Sequence, residues 1–322
     1  MTDQRIPFPT GYVPTPATPG DLPGVAGLMA AVDRVDFGEP VFQEDFLRGE
    51  WERIRFDLAT DTVVARDKAG EVVVYGQAFD EDVPEIVEAF GVVHPDHRGR
   101  GIGSALISWQ EARAGNQAER VERPVRLRTA TAASDRAGAS LLGRKGFRPV
   151  RSFFHMEIDA GAADRPLPPR GIEGRPFVAE QDERTLFEVL QESFRGQWGH
   201  HEARFDEWTA NLKTDRFEPE LCYLAADGGR VVGAVIGVDR EDQGWVNELA
   251  VLPGWRGRGI GSFLLRHAFS EFRRRGADRV LLNVDSENEA GAVRVYERVG
   301  MRVRRQWDLH EKLIEPGARH PW

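Results

Sequence analysis

Apolar residues in the second half of the chain fall into short strand-like runs and longer stretches with helical spacing. The predicted order is one strand, two helices, three antiparallel strands, and then helix, strand, helix and strand. This order is typical of the α/β (mixed α+β) class, with a mostly antiparallel central sheet flanked by helices. The predicted strands before the third helix cover residues 174–178, 221–226, 231–239 and 245–252, and the first two helices cover residues 183–194 and 205–212.

The first half of the chain predicts the same elements in the same order, with a weaker beginning. Its opening residues, up to about Pro19, are polar and rich in proline. Such a segment has too little apolar surface to offset the entropy that ordering costs, so we expect this start to be disordered.

One heptapeptide, RGRGIGS, occurs in both halves. It spans residues 98–104 and again residues 256–262, 158 positions later, and a proline lies three residues before each copy. After each copy the sequence predicts a helix, a strand, a short Ala- and Gly-rich helix and a final strand. The short helices end at Gly146 and Gly300, and glycine commonly follows a helix C-terminus. These parallels indicate a duplicated fold.

A segment rich in proline, glycine and charge separates the two copies at residues 161–170, which is typical of a linker. We therefore predict an N-terminal domain at residues 1–160 and a C-terminal domain at residues 171–322. The length of 322 residues agrees with two domains, because single domains usually have about 100–150 residues.

Charge and cysteine content exclude several classes of function. The chain has 43 Lys and Arg against 52 Asp and Glu, a net charge of −9, so we expect neither nucleic acid nor membrane as a partner. Cys222 is the single cysteine, which excludes an internal disulfide and a Cys-rich metal cage. The start lacks a signal-peptide pattern, and no apolar run is long enough to span a bilayer. We expect a cytoplasmic protein, monomeric or homodimeric, without a metal.

Each RGRGIGS segment follows an apolar strand and opens a helix, where free backbone N–H groups favour an anion. Glycines permit close approach, and the arginines add local positive charge. The candidate residues are Arg98, Gly99, Arg100, Gly101, Gly103 and Ser104 in the first copy, and Arg256, Gly257, Arg258, Gly259, Ile260, Gly261 and Ser262 in the second.

The spacing fits neither a P-loop, which ends in Gly-Lys-Ser/Thr, nor the dinucleotide motif G-x-G-x-x-G. An isolated segment of this kind is more often an ordinary strand-to-helix connection. The duplication of proline, basic glycine loop and helix favours the anion site.

These residues resemble the GNAT acetyltransferase superfamily, whose central motif is Arg or Gln, two residues, Gly, one residue, and Gly or Ala. The motif matches Arg98, Gly101 and Gly103, and again Arg256, Gly259 and Gly261. The closing motif of the family resembles Asn288, Ala292, Tyr296, Gly300 and Met301. The double arrangement looks like the tandem GNAT proteins of the mycothiol synthase type, and the resemblance covers nearly the whole chain.

The resemblance implies acetyl-CoA as co-substrate, with its pyrophosphate on the glycine loop. It also implies that the pantetheine arm pairs with the strand backbone of Leu249, Ala250 and Val251 as an added strand, and that Val93 is the corresponding contact in the first half. In the tandem type, catalysis lies in the C-terminal half. The expected reaction is direct transfer of acetyl to a primary amine of a small molecule in a ternary complex.

Two residues are candidates for the proton transfers. Tyr296 matches the general acid of the family, and its phenol is protonated at neutral pH; the alternative is that it packs inward from an amphipathic helix. Glu248 is a candidate base, predicted on the strand face of Val246 and Ala250; the alternative is a carboxylate paired with an arginine. Cys222 has no histidine nearby in sequence, so an acyl-cysteine route is disfavoured.

The region between the first two helices of the second half forms one wall of the substrate cleft in the family. Its candidate substrate contacts are Trp198, His200, His201 and Trp208. The alternative is that the tryptophans fold onto the core. Asn288 is a candidate cofactor contact, or a helix cap.

The first half lacks the acid, because Leu142 occupies the place of Tyr296 counted from the capping glycine. Glu88 lies on the strand before the first glycine loop and is a candidate base for this half. We expect this half to bind acetyl-CoA or CoA without turnover. Two other functions stay open: mycothiol synthase-like acetylation of a cysteinyl pseudodisaccharide, and a non-catalytic acyl-CoA sensor.

Overall fold

The computed structural model describes residues 8–40, 44–53, 55–80, 83–162, 166–200, 202–212, 217–240, 243–288 and 290–317. By packing, the chain divides into two units. Unit 1 comprises Met1–Ser152 together with Trp307–Trp322, and unit 2 comprises Phe153–Gln306. Among the described residues, none of the helices is long and apolar enough to cross a bilayer.

In its described residues, unit 1 has a mixed sheet and five α-helices. The elements are β1 (Val13–Thr15), α1 (Leu22–Phe37), α2 (Glu44–Trp51), α3 (Leu58–Asp61), β2 (Thr62–Arg66), β3 (Val72–Asp80), β4 (Ile86–Val93), α4 (Ile102–Val121), β5 (Val125–Ala132), α5 (Arg136–Arg144) and the beginning of β6 (Arg148–Asp159). Strands β1 to β4 pair antiparallel in sequence order, and β4 pairs parallel with β5.

Unit 2 repeats this plan. It contains the rest of β6, then β7 (Ile172–Pro176), α6 (Glu183–Phe194), α7 (Phe205–Leu212), β8 (Cys222–Asp227), β9 (Arg230–Arg240), β10 (Gln243–Val251), α8 (Ile260–Arg274), β11 (Arg279–Asp285), α9 (Ala292–Arg298) and the beginning of β12 (Arg302–Ile314). Strands β7 to β10 pair antiparallel, and β10 pairs parallel with β11. The predicted α/β class and the mostly antiparallel sheets with flanking helices are confirmed.

The last strand of each repeat pairs outside its own repeat. Residues 153–159 of β6 pair antiparallel with β11 in unit 2, and residues 307–314 of β12 pair antiparallel with β5 in unit 1. The two units defined by packing therefore differ from the two domains predicted on either side of residues 161–170, because these two strand segments change places. The last strand of the first repeat therefore completes the sheet of unit 2, and the last strand of the second repeat completes the sheet of unit 1.

The helices at 183–194 and 205–212 are confirmed at the predicted bounds, and the strand bounds shift by one or two residues. The expectation of a disordered start is wrong for the described part of that segment. Val13–Thr15 pair with β2, and the buried Ala17 donates its backbone N–H to the hydroxyl of Thr62. Backbone pairing supplies the order that the low apolar content of the segment did not predict.

Helix α8 packs closely on the sheet of unit 2 because glycines face it. A Cβ at Gly244 of β10 would lie 2.3 Å from Cγ of Phe272, and a Cβ at Gly237 of β9 would lie 2.7 Å from the same ring. Phe272 is fully buried and cannot move aside. These glycines set the distance between α8 and the strand that leads to the second glycine loop.

We expect Gly244→Ala to destabilise the protein by about 1–3 kcal/mol, because the added methyl overlaps a fixed buried ring. The measurement is urea unfolding of both proteins. Gly254→Ala is the control, since a Cβ there meets nothing within 4 Å. Equal unfolding midpoints for the two variants would contradict the packing argument.

Candidate functional site

The two parallel strands of unit 2 separate soon after they meet. Strand β10 pairs with β11 at residues 243–245 only, within the described part of the chain, and then continues alongside β9 to Val251. The backbone of residues 248–251 therefore has one edge without a strand partner. Unit 1 has the same arrangement, since β4 pairs with β5 at residues 86–89 and continues to Val93. An extended ligand with amide groups could pair with either edge.

A β-bulge in β10 sets the direction of Glu248. Val246 pairs with Gly237 and Glu248 with Ile236, so Asn247 is the extra residue. Gly237 faces α8, and consecutive positions on β9 point to opposite faces. The prediction that Glu248 shares a face with Val246 is wrong for this reason, whereas its shared face with Ala250 agrees with the register. Leu249 and Val251 point toward the beginning of α8, near Gly261.

Both glycine loops adopt the same backbone conformation. Gly99 and Gly257 each have φ +77°, and Gly101 and Gly259 each have φ +83°, values that disfavour any residue with a Cβ. α4 begins at Ile102 and α8 at Ile260, so the N–H groups of each first turn point out of the loop. Gly103 and Ser104 lie in the first turn of α4, and Gly261 and the buried Ser262 in that of α8. The geometry suits a phosphate group in both units.

The motif arginines brace the loops. Arg256 donates from Nε to the carbonyl of Val251 at 3.1 Å and from Nη2 to the carbonyl of Ser193 at 2.8 Å. Arg98 donates to the carbonyl of Val93 at 3.4 Å and pairs with Asp36 of α1 at 3.4 Å. Each arginine thus fixes the end of the strand against the first helix of its unit.

The second arginine of each loop also has a contact. Arg100 donates to the carbonyl of Asp96 at 2.8 Å and to the hydroxyl of Tyr12 at 3.1 Å. Arg258 lies 6.0 Å from the ring centre of Trp255. Both side chains remain next to the loop and keep positive charge there.

Glu248 carries a carboxyl group with altered acidity. The residue is half-buried, and protein packs closely around the carboxyl group. Because this environment disfavours the charged form, desolvation raises the pKa of Glu248 to about 7. A carboxyl with that pKa exchanges a proton readily near neutral pH, which suits a general base.

Tyr296 lies on α9 and is 7% exposed, packed with the core of unit 2. Burial raises the pKa of its phenol, and the negative charge of Glu248 raises it further. The two candidate proton-transfer groups are therefore close enough to influence each other electrostatically. The phenol stays protonated across the physiological range.

A chain of hydrogen bonds joins the end of α6 to the beginning of α9, and the sequence did not predict it. Gln197 donates from Nε2 to the carbonyl of Ser193 at 3.2 Å, and its Oε1 accepts from Nδ2 of Asn288 at 3.1 Å. Asn288 in turn accepts from the backbone N–H of Ala292 at 3.3 Å. Asn288 thus caps the helix that carries Tyr296, and Gln197 connects that cap to the loop braced by Arg256.

The predicted substrate residues differ in their surroundings. Trp198 is 37% exposed, with its ring 6.0 Å from that of Phe153, and His200 lies 6.4 Å from the ring of Phe194. Trp208 packs against Phe187 and Phe205, in the cluster between α6 and α7. His201 lies outside the described residues.

Unit 1 has apolar residues where unit 2 has the candidate acid and base. The 158-residue displacement places Phe90 at the position of Glu248, and counting back four residues from Gly146 and Gly300 places Leu142 at the position of Tyr296. Comparison of the two halves of the sequence identified Leu142 at the position of Tyr296, but it considered only Glu88 as a base in the first half. Glu88 lies two residues earlier on β4 and pairs with Arg128 at 3.6 Å. Applying the 158-residue displacement to Glu248 would have found Phe90.

A cavity of about 540 Å³ lies at the strand gap of unit 1, bordered by the glycine loop, α1 and α5. A larger cavity of about 870 Å³ lies beside α8 in unit 2, bordered by Arg266, Arg298 and the end of β6. Glu248 and Tyr296 do not line this larger cavity, so its size does not mark the chemistry. In the described part of the chain, no three His, Cys, Asp or Glu side chains are grouped to hold a metal.

The raised pKa of Glu248 predicts a pH-dependent stability effect. The folded state holds a proton that the unfolded state releases between about pH 4.5 and pH 7, so stability falls as the pH rises through this range. Glu248→Gln removes this pH-dependent loss of stability, because glutamine does not ionise. We expect the variant to melt at least about 2 °C above the wild type at pH 8 and at nearly the same temperature at pH 5. A difference in melting temperature that is independent of pH would contradict the assignment.

Comparisons with known proteins agree with this geometry. The model of the acetyltransferase (GNAT) family matches residues 184–301, and that of the acetyltransferase (GNAT) domain matches residues 59–149. The chain is 32% identical to a mycothiol acetyltransferase of Kineococcus radiotolerans, over 91% of this chain and 94% of that protein. It is also 32% identical to a mycothiol acetyltransferase of Frankia casuarinae, over 75% of this chain and 72% of that protein.

Among solved structures, a GCN5-related N-acetyltransferase from Sphaerobacter thermophilus is similar over 98% of this chain and 99% of that chain, with a TM-score of 0.86 and 32% sequence identity. The similarity therefore covers both units. The chain belongs to the GNAT acetyltransferase family and is an N-acetyltransferase with a GNAT domain in each half.

Proposed function

We propose that unit 2 transfers the acetyl group of acetyl-CoA directly to a primary amine of a small molecule, with Glu248 as general base and Tyr296 as general acid. The observation that carries this proposal is the pair formed by the half-buried Glu248 at the open edge of β10 and the buried Tyr296 of α9. Burial raises the pKa of both side chains, to about 7 for Glu248, and the charge of one affects the other. Such a pair can accept one proton and supply another within one site.

The residues around the pair suit acetyl-CoA. The loop at Gly257 and Gly259 offers backbone N–H groups without a Cβ in the way, which suits the pyrophosphate. The open edge of β10 at residues 248–251 offers backbone groups to the amides of the pantetheine arm. An arm laid along this edge from the loop brings the thioester toward Glu248. We propose the same contacts, without catalysis, for Val93 and the loop of unit 1.

Glu248 acts first in the proposed reaction. Its carboxylate accepts a proton from the substrate ammonium, directly or through a water, and leaves the nitrogen with a free electron pair. That nitrogen attacks the thioester carbonyl carbon, which the ternary complex holds nearby. A carboxylate with a pKa of about 7 is present in substantial amount at neutral pH and still binds the proton well.

Tyr296 acts second. As the C–S bond breaks, the phenol O–H donates its proton to the leaving sulfur, so that CoA departs as a thiol and the acetyl group remains on nitrogen as an amide. The attacking nitrogen, positively charged after the attack, loses its second proton through solvent to the phenolate, which leaves a neutral amide, and Glu248 releases the proton it took to solvent. Cys222 has no part in this route, since it is 1% exposed and burial raises the pKa of its thiol.

A narrower candidate concerns the acceptor. Two relatives that are 32% identical carry the name mycothiol acetyltransferase. These names favour a cysteinyl pseudodisaccharide amine, with Trp198 and His200 as substrate contacts and His201 and Trp208 as further candidates. Gln197 would hold the segment that carries Trp198 against the cap of α9.

The proposal is tested by measuring thiol release from acetyl-CoA with aminoglycosides, amino acids, polyamines, sugar amines and the cysteinyl pseudodisaccharide. Release with one class of amine identifies the acceptor. Binding of acetyl-CoA without release for any amine would contradict the enzyme proposal and favour the acyl-CoA sensor.

We expect Tyr296→Phe to lower kcat at least about tenfold and to leave the affinity for acetyl-CoA nearly unchanged. The lost proton donor acts mainly in the transition state, whereas the ring still fills its place in the core. Steady-state kinetics and calorimetry are the measurements. Tyr223→Phe, in the contact with His267, is the control and should keep full activity. Unchanged kcat in the Tyr296 variant would remove the proposed acid.

The repeat supplies a matched pair of loop variants. Gly259→Glu should abolish activity, because a bulky negative side chain then stands where phosphate binds and glycine is required at φ +83°. Gly101→Glu introduces the same strain in unit 1 and should leave turnover within about twofold. Calorimetry should show one acetyl-CoA site lost in each variant. Equal loss of activity in both would contradict the division of labour.

A further inference from the structure

We propose that the cavity of unit 1 binds an acyl-CoA whose acyl group is an aliphatic chain of several carbons, and not acetyl-CoA by preference. This inference rests on the proposal above that the glycine loops bind coenzyme A, and it adds the class of acyl group. The argument starts from the path that the cavity follows.

The cavity connects the loop to the interior of unit 1. Its lining begins at Arg98 and Gly99, follows the open edge of β4 past Val92, and reaches α1 on the other side. A coenzyme A held at the loop and paired with β4 would therefore direct its acyl group toward α1. The volume of about 540 Å³ lies within the range of small-molecule sites and far above the water-sized voids of a packed core.

Apolar side chains line much of this path, together with the polar side chains of Gln110, Thr129 and Thr131. Phe90 and Leu142, which stand in place of the proposed base and acid of unit 2, both line the cavity. Beyond them lie Met29 and Val32 of α1, which are 3% and 7% exposed. A cavity of this lining attracts an apolar ligand more strongly than water. Met29 is also unbranched and can adapt to the length of a chain.

The charged side chains in the lining include Asp36 and Arg98 near the loop, Asp33 on α1, and Asp135 and Arg144 at the two ends of α5. Asp36, in the last turn of α1, pairs with Arg98 at 3.4 Å. Asp33 lies one turn before Asp36 and directly follows Val32; it is 3% exposed and also lines the cavity. An acyl chain that passes Phe90 toward Met29 moves away from the ion pair of Asp36 and Arg98, because Met29 lies about two turns before Asp36 on α1.

The energetic consequence is a dependence on chain length. Burying one methylene contributes about 0.8 kcal/mol, which corresponds to roughly fourfold in affinity. Methylenes beyond the acetyl carbons would contact Phe90, Leu142 and α1. We therefore expect a six-carbon chain to bind unit 1 at least about tenfold more tightly than acetyl, even if only part of the chain is fully buried.

The experiment uses the full chain with Gly259→Glu, so that the second loop is blocked. Calorimetry with CoA, acetyl-CoA and hexanoyl-CoA should show one site, with hexanoyl-CoA at least about tenfold tighter than acetyl-CoA. The matched variant Gly101→Glu leaves only unit 2 and should show no preference for hexanoyl-CoA. Equal affinities of acetyl-CoA and hexanoyl-CoA for unit 1 would overturn the proposal.

A second variant tests the location of the chain. Leu142→Tyr, combined with Gly259→Glu, places in the cavity the residue that unit 2 holds at this position. It should reduce the preference for hexanoyl-CoA to below about threefold and keep the affinity for CoA itself, which also shows that the variant is folded. An unchanged preference would overturn the assignment of the chain to this cavity.

Failure of this inference differs from failure of the proposed function. If unit 1 binds none of the three ligands while the wild type releases CoA with an amine, this inference and the proposed CoA contacts of unit 1 are wrong, and the transfer proposed for unit 2 stands. If hexanoyl-CoA binds unit 1 as expected and no amine causes CoA release, the proposed function is wrong and this inference stands.

Discussion

The early separation of a parallel strand pair is the constraint on which both candidate sites depend. Backbone N–H and C=O groups inside a protein need partners, and a sheet normally supplies them. In each unit one strand continues beyond its parallel neighbour, at residues 248–251 and 90–93, and exposes one edge of its backbone. The glycine loop and the beginning of a helix follow directly. The same few residues therefore offer an edge that can pair with an extended arm and amides that can bind phosphate.

Unit 2 combines this backbone geometry with two groups whose acidity is shifted in the same direction. Desolvation raises the pKa of Glu248 and of Tyr296, so that the carboxyl exchanges its proton near neutral pH and the phenol keeps its own. Unit 1 keeps the loop conformation, at the same φ angles, but has Phe90 and Leu142 in place of these groups. The two units thus share the features expected for binding and differ in those expected for catalysis.

Local signals in the sequence predicted much of this architecture. The helices at 183–194 and 205–212 and both glycine loops follow from helical spacing and from a repeated motif, which are properties of neighbouring residues. The bulge at Asn247 did not follow, because it depends on the register between two strands. The contact between Gln197 and Asn288 joins residues 91 positions apart, and no spacing rule indicates such a pair. Order in Val13–Thr15 likewise depends on a partner strand distant in sequence.

The crossing of the last strands determines how the molecule can be divided. Residues 153–159 complete the sheet of unit 2, and residues 307–314 complete the sheet of unit 1. Cutting the chain at residues 161–170 would leave β5 in one fragment and β11 in the other with an unpaired edge, which promotes aggregation. Unit 1 also cannot form this pairing until residues 307–314 have been synthesised. A polypeptide with only one repeat lacks the strand that completes its sheet in the full chain, so it would have to pair its own last strand there instead.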